Sequence, residues 1–563
     1  MELKKNHNKV LLTTAISYTN GSPHIGHLYE AILADFIKRV YLLAGVETKL
    51  LTGTDEHGKK IQTTALEQGI KPIELCDKYS KEFEQMSRQL GSSYDHFIRT
   101  TDQTHKQLVT NTINSINKKD PSPIYLGEYS GYYNVREETY VTETQASQTN
   151  YCDPITSKPY EIVKEPTYYF VMKNFMDEII STTNTLVPPH FQEEIKTRVE
   201  KGLEDLSITR TTFNWGIPYP SVGLGSGSGS GSGSDNHVIY VWFDALLNYV
   251  TGKNILFGNE LDETSIIPIS PISPISPIHL IGKDIMWFHS VIYPAILKAS
   301  GYGELMPRKI LVHGFVLDKE GKKMSKSLGN VITNQELFES YPVEAIRYYM
   351  ISNTILGQDF KFDPENLTNL FNGVLINNFG NLFQRISKIA KPMEKELNEY
   401  LNKKNVLNQI KITQSKAKTV VENFLTNWDF LQYNNSLNEL ITNSNKSLTD
   451  KKPWALNNSL DNNLENELKI KIIGEIIIEF HSSMCLMLPI IPSKIIRLAE
   501  YWGWENKMIF EPDITLKFNI PDKMIAFSYL KTITPEKKQV SEKTSSKKKQ
   551  VSNKDESKSN SNH

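Results

Sequence analysis

Cysteine is nearly absent: Cys76, Cys152 and Cys485 are the only three in 563 residues, and no two of them form a C-x-x-C pair. That excludes a disulfide framework and a cysteine-built zinc knuckle, and it fits a reducing compartment. Long apolar runs are missing too. No stretch reaches the roughly 20 residues needed to cross a bilayer, and the start, MELKKNHNKVLLTTA, lacks the apolar core of a secretory signal. Charge of neither sign is in surplus, since 63 Lys and Arg face 64 Asp and Glu for a formal net charge of −1. A general basic coat for nucleic acid is thereby excluded, and any such binding must be local. The expectation is a soluble cytoplasmic protein that does not meet a membrane.

What is present begins with α/β texture. KVLLTTAISY is a short β-type run, HIGHLYEAILADFIKRVYLLAG carries helical periodicity from Leu28 to a stop at Gly45, and ETKLLTGTDEHG is a strand entering a glycine-bearing loop. Strand, loop, helix, strand predicts a parallel α/β domain that binds ligands beyond its strand ends. From about Lys118 to Ser234 the pattern changes to alternating aromatic and polar residues, as in YLGEYSGYYNVREETYVTE, which reads as inserted hairpins. The insertion ends in GSGSGSGSGS, Gly225 to Ser234, a tether spanning about 17 Å as a random coil. A second repeat, PISPISPISPI from Pro268 to Ile278, predicts an extended surface loop, because its prolines disfavour helix and central strand. Beyond Asn330 the chain turns mostly helical. From Lys531 it carries nine lysines against four acidic residues, a composition that predicts a disordered basic tail.

Two short motifs carry chemistry. SPHIGH, Ser22 to His27, sets two histidines around a glycine where strand gives way to helix. A helix N-terminus offers unpaired N–H groups and the positive end of the dipole, and both imidazoles can donate to phosphate oxygens. Gly26 lets a flat ring approach the backbone. Far along the chain, GKKMSKSLGN places Lys323 and Lys326 around Met324 and Ser325, two point charges on a loop suited to neutralising a departing pyrophosphate. Either motif alone is more often solvated surface.

Together, HIGH and KMSKS are the paired signature of the class I aminoacyl-tRNA synthetases. With AISYTNGSPHIGHLYEAILADF, LLTGTDEHGKKI, FNWGIPYP, VIYVWFDALLNYV, LIGKDIMWFHSVIYPAIL, LVHGFVLDKEGKKMSKSLGN, GNLFQRI and KKPWAL in order, the chain resembles the methionyl branch of that family from about residue 10 to 530. The resemblance implies a Rossmann-like parallel-sheet catalytic core split by a connective insertion and followed by an all-α anticodon-binding bundle. It divides the chain into a first catalytic half at 1–117, the insertion at 118–234, a second catalytic half at 235–330, a linking region at 331–372, the helical domain at 373–530 and the tail at 531–563. It implies activation of methionine by ATP with Mg2+, then transfer to the terminal adenosine of tRNA(Met), by a monomer.

Roles follow from the resemblance residue by residue. His24, His27, Lys323 and Lys326 would stabilise the reacting phosphates, with Gly26, Asp284, Val316 and Ser325 completing the ATP site. Asp55 would pair with the methionine ammonium. Ala15, Ile16, Tyr18, Trp242, Ala245, Leu246, Tyr249, Ile285 and His289 would line the thioether pocket, where sulfur meets aromatic rings and Tyr18 and His289 add a polar test. Asn381, Arg385 and Trp454 would read the anticodon by stacking and edge contacts. One departure from the family stands out: the region where many members hold zinc through paired cysteines has Cys152 alone, so no structural zinc is expected, and hairpin and hydrophobic packing must hold that region. The competing readings are a class I enzyme for isoleucine, valine, leucine or cysteine, and a catalytically silent tRNA-binding relative.

Overall fold

The computed structural model describes residues 9–135, 139–141, 143–154, 156–220, 237–258, 275–324, 330–456 and 462–504, together with Leu516, Ile520, Phe527 and Ser528. The GSGSGSGSGS tether, the basic tail and the first part of the proline repeat lie outside these residues.

Strand β1 (Lys9–Thr14) is buried at every position after the first. That continuous burial is what a strand covered on both faces demands. It leads through β2 (Ser17–Tyr18) into helix α1 (Ile25–Leu43), which ends at Ala44 with Gly45 at φ 77°, a left-handed conformation that glycine adopts without steric cost. Strands β3 (Thr48–Asp55) and β4 (His96–Arg99) follow. The seven-stranded sheet runs β2, β3, β1, Ile275–Gly282, Lys309–His313, Leu186–Val187, with β4 beside β3. All of its pairings are parallel. From β1 the chain winds one way through α1 to β3. From Ile275–Gly282 it winds the other way to Lys309–His313. The crevice between β1 and Ile275–Gly282 is therefore a topological switch point, where open α/β sheets bind ligands.

Two stretches differ from the sequence expectation. The proline repeat was expected to be a surface loop, yet its end begins the central strand Ile275–Gly282, with Pro277 in register with Leu11. The sheet tolerates this proline because its carbonyl faces the strand Lys309–His313, accepting from Arg308 N–H at 2.8 Å, so its missing N–H faces the same side. That neighbour begins only opposite Ile278, so no ladder bond is lost. Within 118–234, strand Leu186–Val187 joins the parallel sheet through Lys309–His313, while the hairpins form their own four-stranded antiparallel sheet in the order Thr139–Val141, Ile124–Asn134, Glu161–Phe170, Leu206–Ser207.

No metal-binding group of three or more His, Cys, Asp or Glu occurs among the described residues. The turn around Cys152 is closed by Asp153, which accepts from Thr156 N–H at 2.7 Å and from Asn134 Nδ2 at 2.8 Å. The root of the insertion is held by Arg210, buried between the rings of Tyr140 at 4.0 Å and Tyr240 at 4.2 Å, and bonded to the carbonyls of Ser207 and Thr209. Its charge is thus paired with π faces and carbonyls, as a buried guanidinium requires.

The helices Asn381–Ala390, Lys404–Asn427, Phe430–Lys451 and Asn462–Met487 form the bulk of the C-terminal bundle. Trp428, at φ 58°, ends the second of these, and Asp429 starts the third by accepting from Gln432 N–H at 2.9 Å. One hydrophobic cluster runs from Leu12 and Ile32 through Ile346 to Phe383 and Phe480, so the bundle shares its core with the α/β domain. Among the described residues no helix is long and apolar enough to cross a membrane.

Candidate functional site

A cleft of about 1260 Å3 opens at the carboxyl ends of β1 and Ile275–Gly282. It is lined by Ala15, Ile16, Tyr18, His24, Gly26, His27, Trp242, Asp284, Ile285, Val316 and Lys323, eleven of the residues expected at the synthetic site. Asp55, Ala245, Leu246, Tyr249 and His289 are buried behind that surface. Ser325 and Lys326 lie outside the described residues.

The two histidines begin α1 as a reciprocal cap. Nδ1 of His24 accepts the Gly26 N–H at 3.1 Å, and Nδ1 of His27 accepts the His24 N–H at 3.1 Å. Their rings stack, with centroids 3.8 Å apart and planes 20° from parallel. With each Nδ1 serving as an acceptor, the proton of the neutral ring sits on Nε2, so each imidazole has one defined donor. Burial and the neighbouring His24 hold His27 well below the usual imidazole range, which keeps it neutral. Gly26 has a local role here. A Cβ at that position would lie 3.0 Å from Cε1 of His24, so glycine is what lets the capping ring fold over the first turn.

The lysine loop reaches the same cleft. A β-bridge pairs His24 with Thr333, just past the loop's exit. The loop's two ends are drawn together by Asp318: its Oδ1 accepts from Lys322 N–H at 2.7 Å and its Oδ2 from Asn330 Nδ2 at 2.6 Å. The Asn330 that closes SLGN thus clamps the turn. Nζ of Lys323 sits 4.3 Å from the Phe315 ring, whose centroid also lies 4.7 Å from Nζ of Lys283. Lys283 is in turn anchored by Asp359 at 2.8 Å.

Several cleft-forming groups were not picked out from sequence, although the quoted motifs contain most of them. His313 donates through both nitrogens, to Gly314 O at 2.8 Å and Glu30 Oε2 at 3.0 Å. Burial opposes its charge, but the Glu30 carboxylate outweighs that and raises its pKa, placing an imidazolium on the cleft wall. Behind Asp55, Glu56 takes a two-pronged contact from Arg99 at 2.7 and 3.0 Å. Asp244 accepts from His57 at 2.6 Å and from His105 at 2.8 Å. Burial works against that anion, yet the two imidazoles bring its pKa down to about 2. Asp244 thereby ties the GTDEHG loop, which carries Asp55, to the helix that carries Trp242. Asp55 ends β3 in register with Tyr18. The Trp242 ring stacks on Phe288 with centroids 3.6 Å apart and meets Tyr18 edge-on at 6.5 Å.

Asn381, Arg385 and Trp454 occupy the helical bundle and do not line the cleft. The Arg385 guanidinium lies 5.6 Å from the Trp454 ring and is oriented by Asn445 at 3.4 Å and Thr449 at 3.3 Å. Trp454 is 48% exposed. Asn381 lies on the same helix face one turn before Arg385 and is exposed.

The family described as "tRNA synthetases class I (M)" matches residues 10–158 and 148–387. The chain is 39% identical over 389 residues to the methionine–tRNA ligase of Rhizobium meliloti (strain 1021), covering 68% of this chain and 70% of that protein. It is 33% identical over 471 residues to the methionine–tRNA ligase of Bacillus subtilis (strain 168), covering 81% of this chain and 67% of that one. Among solved structures, Mycobacterium tuberculosis methionyl-tRNA synthetase bound by methionyl-adenylate superposes with a TM-score of 0.77 at 28% identity, covering 92% of this chain and all of that one.

Proposed function

Because this chain belongs to the class I tRNA synthetases of the methionine type, we propose that it is a methionine–tRNA ligase and that the cleft below α1 is its synthetic site. The methionine carboxylate attacks the α-phosphorus of ATP, releasing pyrophosphate and forming methionyl-adenylate. A hydroxyl of the terminal adenosine of tRNA(Met) then attacks the acyl carbon and AMP leaves. Such a displacement asks the protein for positioning and charge stabilisation rather than covalent participation.

The observation that carries the reading is the convergence of the capped histidine pair and the lysine loop on one cleft at the switch point. The Nε2–H groups of His24 and His27 donate to phosphate oxygens without bringing net charge. Lys323 and Lys326 supply the positive charge as it is needed on the leaving pyrophosphate. Asp284 and Val316 hold the nucleoside, Ser325 supports the loop, and Mg2+ enters on the triphosphate as part of the substrate. Asp55 pairs with the methionine ammonium, while Trp242, Tyr18, Ile285, Ala15 and Ile16 enclose the thioether, with Ala245, Leu246, Tyr249 and His289 behind them. Asn381, Arg385 and Trp454 take up the anticodon. We place this activity in the cytoplasm, in a monomer organised by the divisions given above.

Charging tests the reading: with ATP, methionine and tRNA(Met), the purified chain forms methionyl-tRNA. Binding of tRNA without charging would instead favour a catalytically silent relative.

A further inference from the structure

Asp284 and Val316, the two residues assigned to the nucleoside, reach the cleft from neighbouring strands. Asp284 lies in the turn Lys283–Ile285 after strand Ile275–Gly282, and Val316 lies just beyond strand Lys309–His313. The pairing of these strands stops at Gly282 and His313, so the sheet ladder does not set the spacing of the residues beyond it. A third segment does. Residues 357–362, from the linking region, run parallel alongside 312–317: Gly357 N–H donates to Val312 O at 2.8 Å, Phe360 N–H to Phe315 O at 3.0 Å and Phe362 N–H to Leu317 O at 2.8 Å, with Val316 in register with Phe360. The approach is closest at Gly314. A Cβ there would lie 2.1 Å from Gln358 O and 2.5 Å from Asp359 N, so glycine alone permits it.

Asp359 joins the two sides. Its Oδ1 accepts the Phe315 N–H at 2.7 Å, and the same carboxylate meets Nζ of Lys283 at 2.8 Å through Oδ1 and 2.9 Å through Oδ2. Phe315 precedes Val316 and Lys283 precedes Asp284, so one carboxylate holds the neighbour of each. Nζ of Lys283 also lies 4.7 Å from the Phe315 ring centroid, a second contact between the same two segments. Phe315 lines the cleft, whereas Asp359 and Lys283 stand behind the lining. Their side chains are 28% and 31% exposed, and an ion pair that open to water adds little to stability. Geometry is what it contributes: the carboxylate makes a charge-assisted bond to a backbone N–H, and Lys283 cancels a negative charge that would otherwise oppose a nucleotide nearby.

We propose that Asp359 is a positioning residue for ATP: through the Lys283 side chain and the Phe315 N–H it holds the Asp284 turn and the Val316 segment at the separation a nucleoside requires. It touches no substrate itself. Without it the two segments are free to part, and part of the nucleotide's binding energy is then consumed in bringing them back together. The linking region thereby enters the nucleotide site from behind, although none of its residues was assigned to that site from sequence. This inference rests on the methionine-ligase reading.

The test is methionine-dependent pyrophosphate exchange in the wild type and in Asp359→Ala, Asp359→Asn and Lys283→Met, with the KM values for ATP, methionine and pyrophosphate read separately. In Asp359→Ala the KM for ATP rises about tenfold, the loss expected when a hydrogen bond to a charged group is removed. The KM values for methionine and pyrophosphate hold, because Asp359 bonds to neither the amino-acid pocket nor the lysine loop. A merely structural role would lower the amount of active protein and leave every KM in place. Asp359→Asn keeps an oxygen for the Phe315 N–H and shows a smaller rise. Lys283→Met breaks the bridge on the Asp284 side and also raises the KM for ATP, so the test does not depend on one variant folding. An ATP KM within twofold of the wild type in Asp359→Ala or Lys283→Met, a methionine KM that rises as far as that for ATP, or an Asp359→Asn as impaired as Asp359→Ala overturns the proposal. A wild-type chain with no methionine-dependent exchange overturns the ligase reading itself, whereas exchange with an unmoved ATP KM in the variants overturns only this inference.

Discussion

The guanidinium of Arg347 meets the carboxylate of Asp35 at 2.6 Å across 312 residues of sequence, with neither side chain more than 1% exposed. Arg347 also donates to the carbonyls of Ile490 at 2.7 Å and Pro489 at 3.0 Å, at the end of the long helix of the bundle. Asp35 in turn accepts from Arg39 and from the backbone and hydroxyl of Ser93. Asp35 is on α1, the helix that His24 caps. One buried charge pair therefore links the helix that begins with His24 and His27 at the cleft to the domain that carries Arg385 and Trp454.

Removing one member of that pair leaves the other as an uncompensated buried charge. Arg347→Met is expected to cost about 3–5 kcal/mol in folding free energy. Replacing both members with apolar residues should recover most of it. Denaturant unfolding of the single and double variants checks this, and a single variant as stable as the wild type would contradict the role given to the pair.

In the proposed reaction the lysine loop acts late in the activation step. Lys326→Ala is expected to lower the activation rate by about 100- to 1000-fold, the usual loss for one group that stabilises developing charge, and to leave methionine binding nearly unchanged. Rapid-quench measurement of methionyl-adenylate formation decides it. A variant activating at the wild-type rate would remove Lys326 from the mechanism.

On the proposed reading Trp454 separates the two half-reactions. Losing a stacked base contact costs about 1–3 kcal/mol. Trp454→Ala should therefore weaken tRNA charging by roughly that factor while sparing ATP–pyrophosphate exchange. Equal damage to both would mean that the indole holds the bundle together rather than meeting RNA.

Buried imidazoles make the fold sensitive to acid. Burial keeps His27 and His279 well below the usual imidazole value of 6.5 and brings His289 to about 4. Between those values and 6.5 the unfolded chain binds more protons than the folded one, so stability falls as pH drops from 6.5 toward 4. His313 works the other way, since its raised pKa contributes stability that is present below 6.5 and lost as pH rises through the folded value. Asp35 and Asp244, lowered from 3.8 to about 2, add stability that is lost only below 3.8. With five histidines lowered, His96 and His237 among them, against His313 alone raised, the melting temperature is expected to drop between pH 7 and pH 5. A rise over that interval would contradict the neutral assignment of His27 and His289.

Local pattern carried much of this architecture. The apolar run at β1, the periodicity of α1 and the stop at Gly45 all show in the sequence because each depends on neighbours only a few residues away. The signature motifs named eleven of the cleft residues for the same reason. What escaped was set by contacts between distant segments. Pro277 is a poor strand residue by propensity and becomes a strand residue only because its neighbour starts one position later. Leu186–Val187 is too short to read and is defined by the partner it finds. The Nδ1 atoms of His24 and His27 are engaged by the helix itself, so which nitrogen is left to donate followed from hydrogen bonds and not from residue type. The buried Thr13 hydroxyl meets His279 Nδ1 across 266 residues of sequence.

The central claim is that two motifs far apart in sequence grip one ATP while a thioether fills the pocket beside it. Methionine-dependent ATP–pyrophosphate exchange measures that claim directly. The account predicts rapid exchange with methionine, and none above background with isoleucine, valine, leucine or cysteine at the same concentration. Exchange driven by one of those four, or no exchange with methionine, would contradict it.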